Sequence, residues 1–203
     1  VTVVEFGDYK CPGCKYWHET IFPQLKKDFI DTGKVKFAFV NVLFHGEESR
    51  LASLAAESVY AQDKEAFWKF HDGLYAAQPP SSSSQAWVNM ELLLNTAKQH
   101  APGINIKSLE EEIQNKTRMS SLEKDGRLAD DYRIRETPSI MVNHILLEDP
   151  FAYDQLAAII RGELGEYIHD EGIGAFRRVS GTVFVFCLAR IRCGHVRKLV
   201  FQR

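Results

Sequence analysis

The sequence predicts an α/β fold in which a βαβ unit and a later ββα unit are separated by a large helical insertion. Three observations carry this. Two β-rich runs, Val1–Gly7 and Val35–Val42, flank a helical stretch near the start of the chain. Residues 45–132 hold helical periodicity and no convincing strand. Strand signals then return at Ser139–Val142, ahead of one last amphipathic helix. Strand, helix and strand at the first spacing make parallel strands joined by a crossover.

Taken in order, Val1-Thr2-Val3-Val4-Glu5-Phe6-Gly7 is β-branched and apolar, and reads as a buried strand. Lys15 to Phe29 reads as a helix that Pro23 kinks or divides. Val35 to Val42 alternates and then becomes continuously apolar, a second strand buried at its far end. Helices follow over Glu47–Ala61 and Lys64–Ala77. The run Gln78-Pro79-Pro80-Ser81-Ser82-Ser83-Ser84 breaks the pattern as a loop. Trp87–Gln99, Ile106–Lys116 and Arg118–Tyr132 are three further helices. Ser139–Val142 and Ile145–Leu147 form a hairpin about Asn143-His144, and Tyr153–Leu164 closes the scaffold as a helix. The expected organisation is a scaffold over residues 1–44 and 133–165, an inserted helical subdomain over 45–132, and an atypical tail over 166–203. That tail carries seven Lys/Arg against three Asp/Glu and has no evident place in the scaffold.

Composition narrows the function classes. The chain has 203 residues, is 45% hydrophobic and 26% charged, and carries a net charge of −2. That describes a globular protein with a real core and gives no electrostatic footing for nucleic acid or anionic lipid. No apolar run reaches the roughly 18 residues of a membrane span. The start at Val1, directly in a strand, fits a mature or trimmed fragment and leaves no direct evidence of export. Of four cysteines, Cys187 and Cys193 lie in the last 20 residues and the other two stand at 11 and 14. A fold stapled by disulfides would distribute them differently, so the first pair is free for chemistry.

Cys11-Pro12-Gly13-Cys14 is the working motif. Two thiols spaced CxxC where a strand gives way to a helix are the active part of a dithiol–disulfide redox protein. A cysteine at a helix start faces unpaired backbone N–H groups and the positive end of the helix dipole, which favour thiolate over thiol. Cys11 is the expected nucleophile and Cys14 the more buried resolving thiol. Pro12 suits the first helical position, and Gly13 leaves the site open. Lys10 and Lys15 either favour the thiolate or point to water. Glu5 is either a carboxyl buried beneath the site, with a raised pKa and a proton to exchange with Cys14, or an outward strand carboxylate. Thr137-Pro138 opens the late hairpin. Alone it reads as an ordinary trans turn; beside an upstream CxxC and a βαβ unit it reads as cis, facing the cysteines and exposing the Thr137 backbone for a substrate strand. His18, four residues after Cys14 on the same helix face, reads as a surface or packing residue, with tuning of the thiols as the alternative. Phe67, Trp68, Phe70 and Tyr75 read as core of the insertion. Cys187, Cys193 and His195 do not match a standard zinc spacing.

These residues resemble the thioredoxin superfamily, and within it the DsbA-type thiol–disulfide oxidases, nearest to the Gram-positive branch usually called BdbD. The resemblance covers about residues 1–165. It rests on Val3 to Cys14, Phe39 to Gly46, Phe67 to His71 and Thr137 to Ile140. It implies a thioredoxin fold interrupted by a helical insertion, Cys11 as attacking cysteine, Cys14 as resolving cysteine, Pro138 as the cis-proline and Glu5 as the buried acid. Gly13 departs from the common Pro-His dipeptide. The resemblance also implies an extracytoplasmic enzyme with an exported or membrane-tethered precursor, acting on reduced exported proteins. A quinone-linked membrane partner would reoxidise it. No cofactor beyond the Cys11–Cys14 disulfide and no metal are expected. A reductase or isomerase on the same scaffold is the alternative within enzymes. A peptide-binding chaperone or a metal-binding module with the cysteines as ligands is the alternative outside them.

Overall fold

The structure, a computed structural model, describes residues 1–80, 85–166 and 199–200. Strands β1 (Thr2–Gly7) and β2 (Lys36–Asn41) pair in parallel, Val3 beside Phe37 and Glu5 beside Phe39. β1 also pairs antiparallel with β3 (Ser139–Val142), which turns through Asn143-His144 into β4 (Ile145–Leu146). Asn143 takes a left-handed φ of 52°, as hairpin turns require, and its side chain accepts from the Thr2 N–H. The order is β4-β3-β1-β2-β5, which leaves β1 in the middle.

Between β1 and β2 the helix forms in two pieces, α1 (Pro12–Thr20) and α2 (Phe22–Leu25), followed by one turn of π-helix over Lys26–Ile30. The expected start at Lys15 is three residues late, because Pro12 already occupies the first helical position. The division falls at Ile21, two residues before Pro23, whose ring and missing N–H cannot continue α1 and which instead sits in the first turn of α2. Among the described residues, five helices lie between β2 and β3: α3 (Glu47–Gln62), α4 (Lys64–Ala77), α5 (Met90–His100), α6 (Ile106–Gln114) and α7 (Met119–Asp131). α8 (Tyr153–Glu163) follows the hairpin. Side-chain caps set several starts. The Asp63 carboxylate accepts from Glu65 N at 2.7 Å and Ala66 N at 3.0 Å, Asn89 caps Leu92 N, and Asn105 caps Ser108 N. The helix expected from Trp87 therefore starts at Met90. Trp87 and Val88 stay extended because the Glu48 carboxylate takes both of their N–H groups at 2.8 Å.

The sheet is covered on both faces. Val3, Phe37, Ile140 and Val142 pack with Trp17, Leu25, Leu156 and Ile160 of the helices on one side. Val4, Phe6, Ala38 and Met141 pack with Ala129 and Ile134 on the other. A third core fills the insertion with Phe67, Phe70, Leu74, Tyr75 and Leu93, and runs without a break into Tyr9, Cys11 and Cys14. The aromatic group read as insertion core is that core. The tail reading needs one correction: Leu199–Val200 forms β5, antiparallel to Phe37-Ala38 on the outer edge of β2. An open strand edge offers unpaired N–H and C=O groups to any extended segment, and a two-residue pairing leaves no periodic signal. Cys187, Cys193 and His195 lie outside the described residues.

Asp63→Ala removes two capping bonds at the start of α4 and should lower stability by about 1 kcal/mol. Urea denaturation at constant m measures it; an unchanged midpoint contradicts the capping role.

Candidate active site

Cys11 sits immediately before α1, at φ −75° and ψ 120°, with Pro12 at the first helical position. Its N–H donates to Asp8 O at 3.0 Å, and its carbonyl accepts from Lys15 N at 3.2 Å. The sequence supplies no Ser, Thr or Asp here, so a sulfur occupies the capping position where an oxygen is usual. Cys11 keeps 7% of its surface exposed and Cys14 none, and both are free thiols. The Cys11 S–H reaches the Thr137 carbonyl at 3.1 Å, and the Thr137–Pro138 bond is cis. A Cβ built on Gly13 would meet Pro138 Cδ at 3.2 Å and Cys11 Sγ at 3.5 Å. The four motif residues, Thr137 and Pro138 thus form one surface.

The two sulfurs are electrostatically unequal. The Cys11 pKa is lowered to about 6, first by a hydrogen bond from the Cys14 thiol, then by the Thr137 side chain and the N–H groups of Cys14 and Gly13, against the opposing effect of burial. Burial raises Cys14 well above the ordinary thiol range, and so do its hydrogen bond to Cys11 and the nearby Glu5. Cys14 therefore remains the proton donor of the pair. The Asp8 N–H lies 3.4 Å from its sulfur.

The lowered pKa favours the dithiol form at high pH. Starting from 9.0 and ending at about 6, the gain is full above about pH 9 and is lost as pH falls through about 6. At pH 7 it amounts to about 1.4 kcal/mol, or roughly 30 mV in the oxidising direction.

Glu5 is fully buried on the central strand, on the same face as Val3, which packs beneath α1. The outward-facing reading fails because both faces of β1 are covered. Neither carboxylate oxygen has a hydrogen-bond partner among the described residues. Burial, and then the charge on Cys11, raise its pKa well above the usual carboxylate range. A protonated carboxyl beneath two thiols is a local proton reservoir.

The flanking lysines do not serve the thiolate. Lys10 pairs with Glu48, while Lys15 Nζ donates to the Tyr75 carbonyl at 2.6 Å and pairs with Glu19 at 2.8 Å. His18 is a packing residue: it stacks on Tyr75 and Phe22, and its Nε2 faces Asp72 at 3.2 Å. Three buried polar residues of the site carried no motif in the sequence. The Asp8 carboxylate accepts from Lys10 N, Phe44 N, His45 N and Ser49 Oγ, which fixes the turn before Cys11. Tyr9 OH meets His71 Nδ1 at 2.9 Å. Gln78 reaches the carbonyls of Tyr9 and Cys11. Among the described residues no group of three or more His, Cys, Asp or Glu is arranged to hold a metal ion, and no helix is long and apolar enough to cross a membrane.

A parallel βαβ unit, a CxxC at its helix start and a buried acid below define a dithiol–disulfide oxidoreductase. The thioredoxin family profile (Thioredoxin_4) matches residues 1–161, and the chain belongs to that family. Within it, the chain is a protein disulfide oxidoreductase of the DsbA-like kind. It is 46% identical over 164 residues to disulfide bond formation protein D of Bacillus subtilis, covering 81% of this chain and 72% of the relative. A probable disulfide bond formation protein D of Bacillus anthracis is 38% identical, covering 81% and 74%. The crystal structure of oxidised BdbD from Bacillus subtilis superposes with a TM-score of 0.78, covering 81% of this chain and 87% of that one. DsbA of Chlamydia trachomatis, 23% identical, shares the fold with a TM-score of 0.71, covering 81% and 86%.

Glu5→Gln keeps the shape and removes the group that can ionise. A carboxyl with a raised folded pKa costs stability as pH rises above its unfolded value. The dithiol form of the variant should match the parent below about pH 4 and be the more stable of the two at pH 8. Chemical denaturation at the two pH values measures the gap; equal stability at pH 8 contradicts a buried, titrating Glu5.

Proposed function

We propose that the chain donates its Cys11–Cys14 disulfide to reduced, unfolded or partly folded proteins outside the cytoplasm. The observation that carries this reading is the inequality of the two sulfurs: Cys11 keeps a small exposed face and a lowered pKa, while Cys14 is fully enclosed and held as thiol.

In the oxidised protein a substrate thiolate attacks Cys11 Sγ, the sulfur it can reach. The Cys11–Cys14 bond breaks as the mixed disulfide forms, and Cys14 leaves with the bonding electron pair. Glu5, protonated beneath it, supplies the proton that makes Cys14 a thiol. A second substrate thiolate then attacks the substrate sulfur of the mixed disulfide. Cys11 departs as a thiolate, and a leaving thiol of low pKa departs faster. Two substrate thiols become a disulfide, and the protein ends as the dithiol. The Thr137 carbonyl, 3.1 Å from Cys11 Sγ, gives an extended substrate backbone a place to pair while its cysteine meets Cys11.

Return to the disulfide needs an acceptor for two electrons. The resemblance to DsbA-type oxidases supports a quinone-linked membrane partner in that role, and an exported or membrane-tethered precursor. An oxidising compartment suits a disulfide donor, since cytosolic thiol buffers would hold it reduced.

Cys11→Ser should abolish oxidation of a reduced two-cysteine peptide. Cys14→Ser should accumulate a mixed disulfide with it, visible as a mass shift without reductant. Full turnover by Cys11→Ser would refute the assignment.

A further inference from the structure

One buried polar side chain beside the thiols has no part in the exchange chemistry. Gln78 directly follows α4 and is only 3% exposed. Its amide nitrogen donates to the Tyr9 carbonyl at 2.6 Å and to the Cys11 carbonyl at 3.3 Å. Both acceptors are carbonyl oxygens, so the NH2 end must face them. The amide oxygen is buried and has no hydrogen-bond partner among the described residues. An apolar side chain would fill the same space without that loss of stability.

We propose that Gln78 is a positioning residue for Cys11, through which the helical insertion holds the reactive sulfur in its thiolate-stabilising place. The Cys11 carbonyl is the first acceptor of α1, taking the Lys15 N–H at 3.2 Å. A second donor on that oxygen, anchored outside α1, fixes the plane of the Cys11–Pro12 peptide. That plane sets the direction of the Cys11 side chain, and so the sulfur's approach to the N–H groups of Gly13 and Cys14. The bond to Tyr9 O holds the other side of the same turn. The anchor itself is tied down, since Lys15 Nζ donates to Tyr75 O, the carbonyl that also accepts the Gln78 backbone N–H. Gln78 touches neither substrate nor sulfur; it acts through the backbone of Cys11.

The proposal rests on Cys11 being the sulfur that ionises. Its readout is titration rather than turnover, so its failure is separate from failure of the oxidase reading. The experiment follows the ultraviolet absorbance of the Cys11 thiolate against pH in the reduced protein, for the parent, Gln78→Leu and Gln62→Ala. Gln62 bonds Asn105 within the insertion and serves as a structural control. Gln78→Leu should raise the thiolate midpoint by about half a pH unit or more, while Gln62→Ala leaves it in place. A folded Gln78→Leu variant with the parent midpoint overturns the proposal. Should that variant not fold, the parent decides by NMR. The Gln78 side-chain NH2 signals should exchange slowly with water and shift with the Cys11 midpoint. Rapid exchange with no response to the Cys11 titration overturns the proposal equally.

Discussion

The site depends on the inequality of its two thiols, the Cys11 pKa lowered to about 6 and the Cys14 pKa raised by burial. It needs Cys14 to keep its proton and Cys11 to give one up. Burial secures the first, because a charged sulfur at Cys14 would have neither water nor a cation to stabilise it. The start of α1 secures the second, with unbonded N–H groups aimed at the capping position. Disulfide formation removes both thiols and this inequality with them. The dithiol form therefore holds an electrostatic gain that the disulfide form lacks, which makes the couple more oxidising. No lysine is required: Lys10 and Lys15 lie close in sequence and are committed to other partners.

The fold serves this inequality by enclosing one side of the motif and opening the other. Central β1 places Glu5 beneath the thiols, and the two covered faces of the sheet keep water from its carboxyl. β3 brings Thr137 and Pro138 against Gly13, so the exposed side of the motif is bounded by a backbone carbonyl and a ring. The insertion closes the remaining side. Its core is continuous with Tyr9, Cys11 and Cys14, and Glu48, Tyr75 and Gln78 each bond residues 9–15. The helical insertion is therefore structurally part of the redox centre.

The motif, the βαβ unit, the hairpin and the helical character of the insertion were legible because each has a local signature. CxxC is a spacing, strands alternate, and helices repeat their apolar positions. Glu5 was ambiguous for the same reason: the alternation about it is equally consistent with either face, and only the packing of helices on both sides decides. Asp8, Glu48 and Gln78 were not legible. Most of their partners are backbone N–H and carbonyl groups, many of them far along the chain, and almost every residue type offers those. Gln78 in particular opens a run of prolines and serines and reads as loop. The early start of α1 and the late start of α5 are capping effects, the first from Pro12 and the second from Glu48 and Asn89. The two-residue β5 is too short to carry a pattern.

The direct test of the central claim is the reduction potential measured against glutathione from pH 5 to pH 8. A two-electron couple shifts by roughly 30 mV per pH unit for each proton taken up with the electrons. Below the Cys11 pKa of about 6 both thiols take a proton, and the slope should be about 59 mV per pH unit; above it only Cys14 does, and the slope should fall to about 30 mV. A single slope of about 59 mV through pH 8 would show that Cys11 never stands as a stabilised thiolate, and would contradict the account.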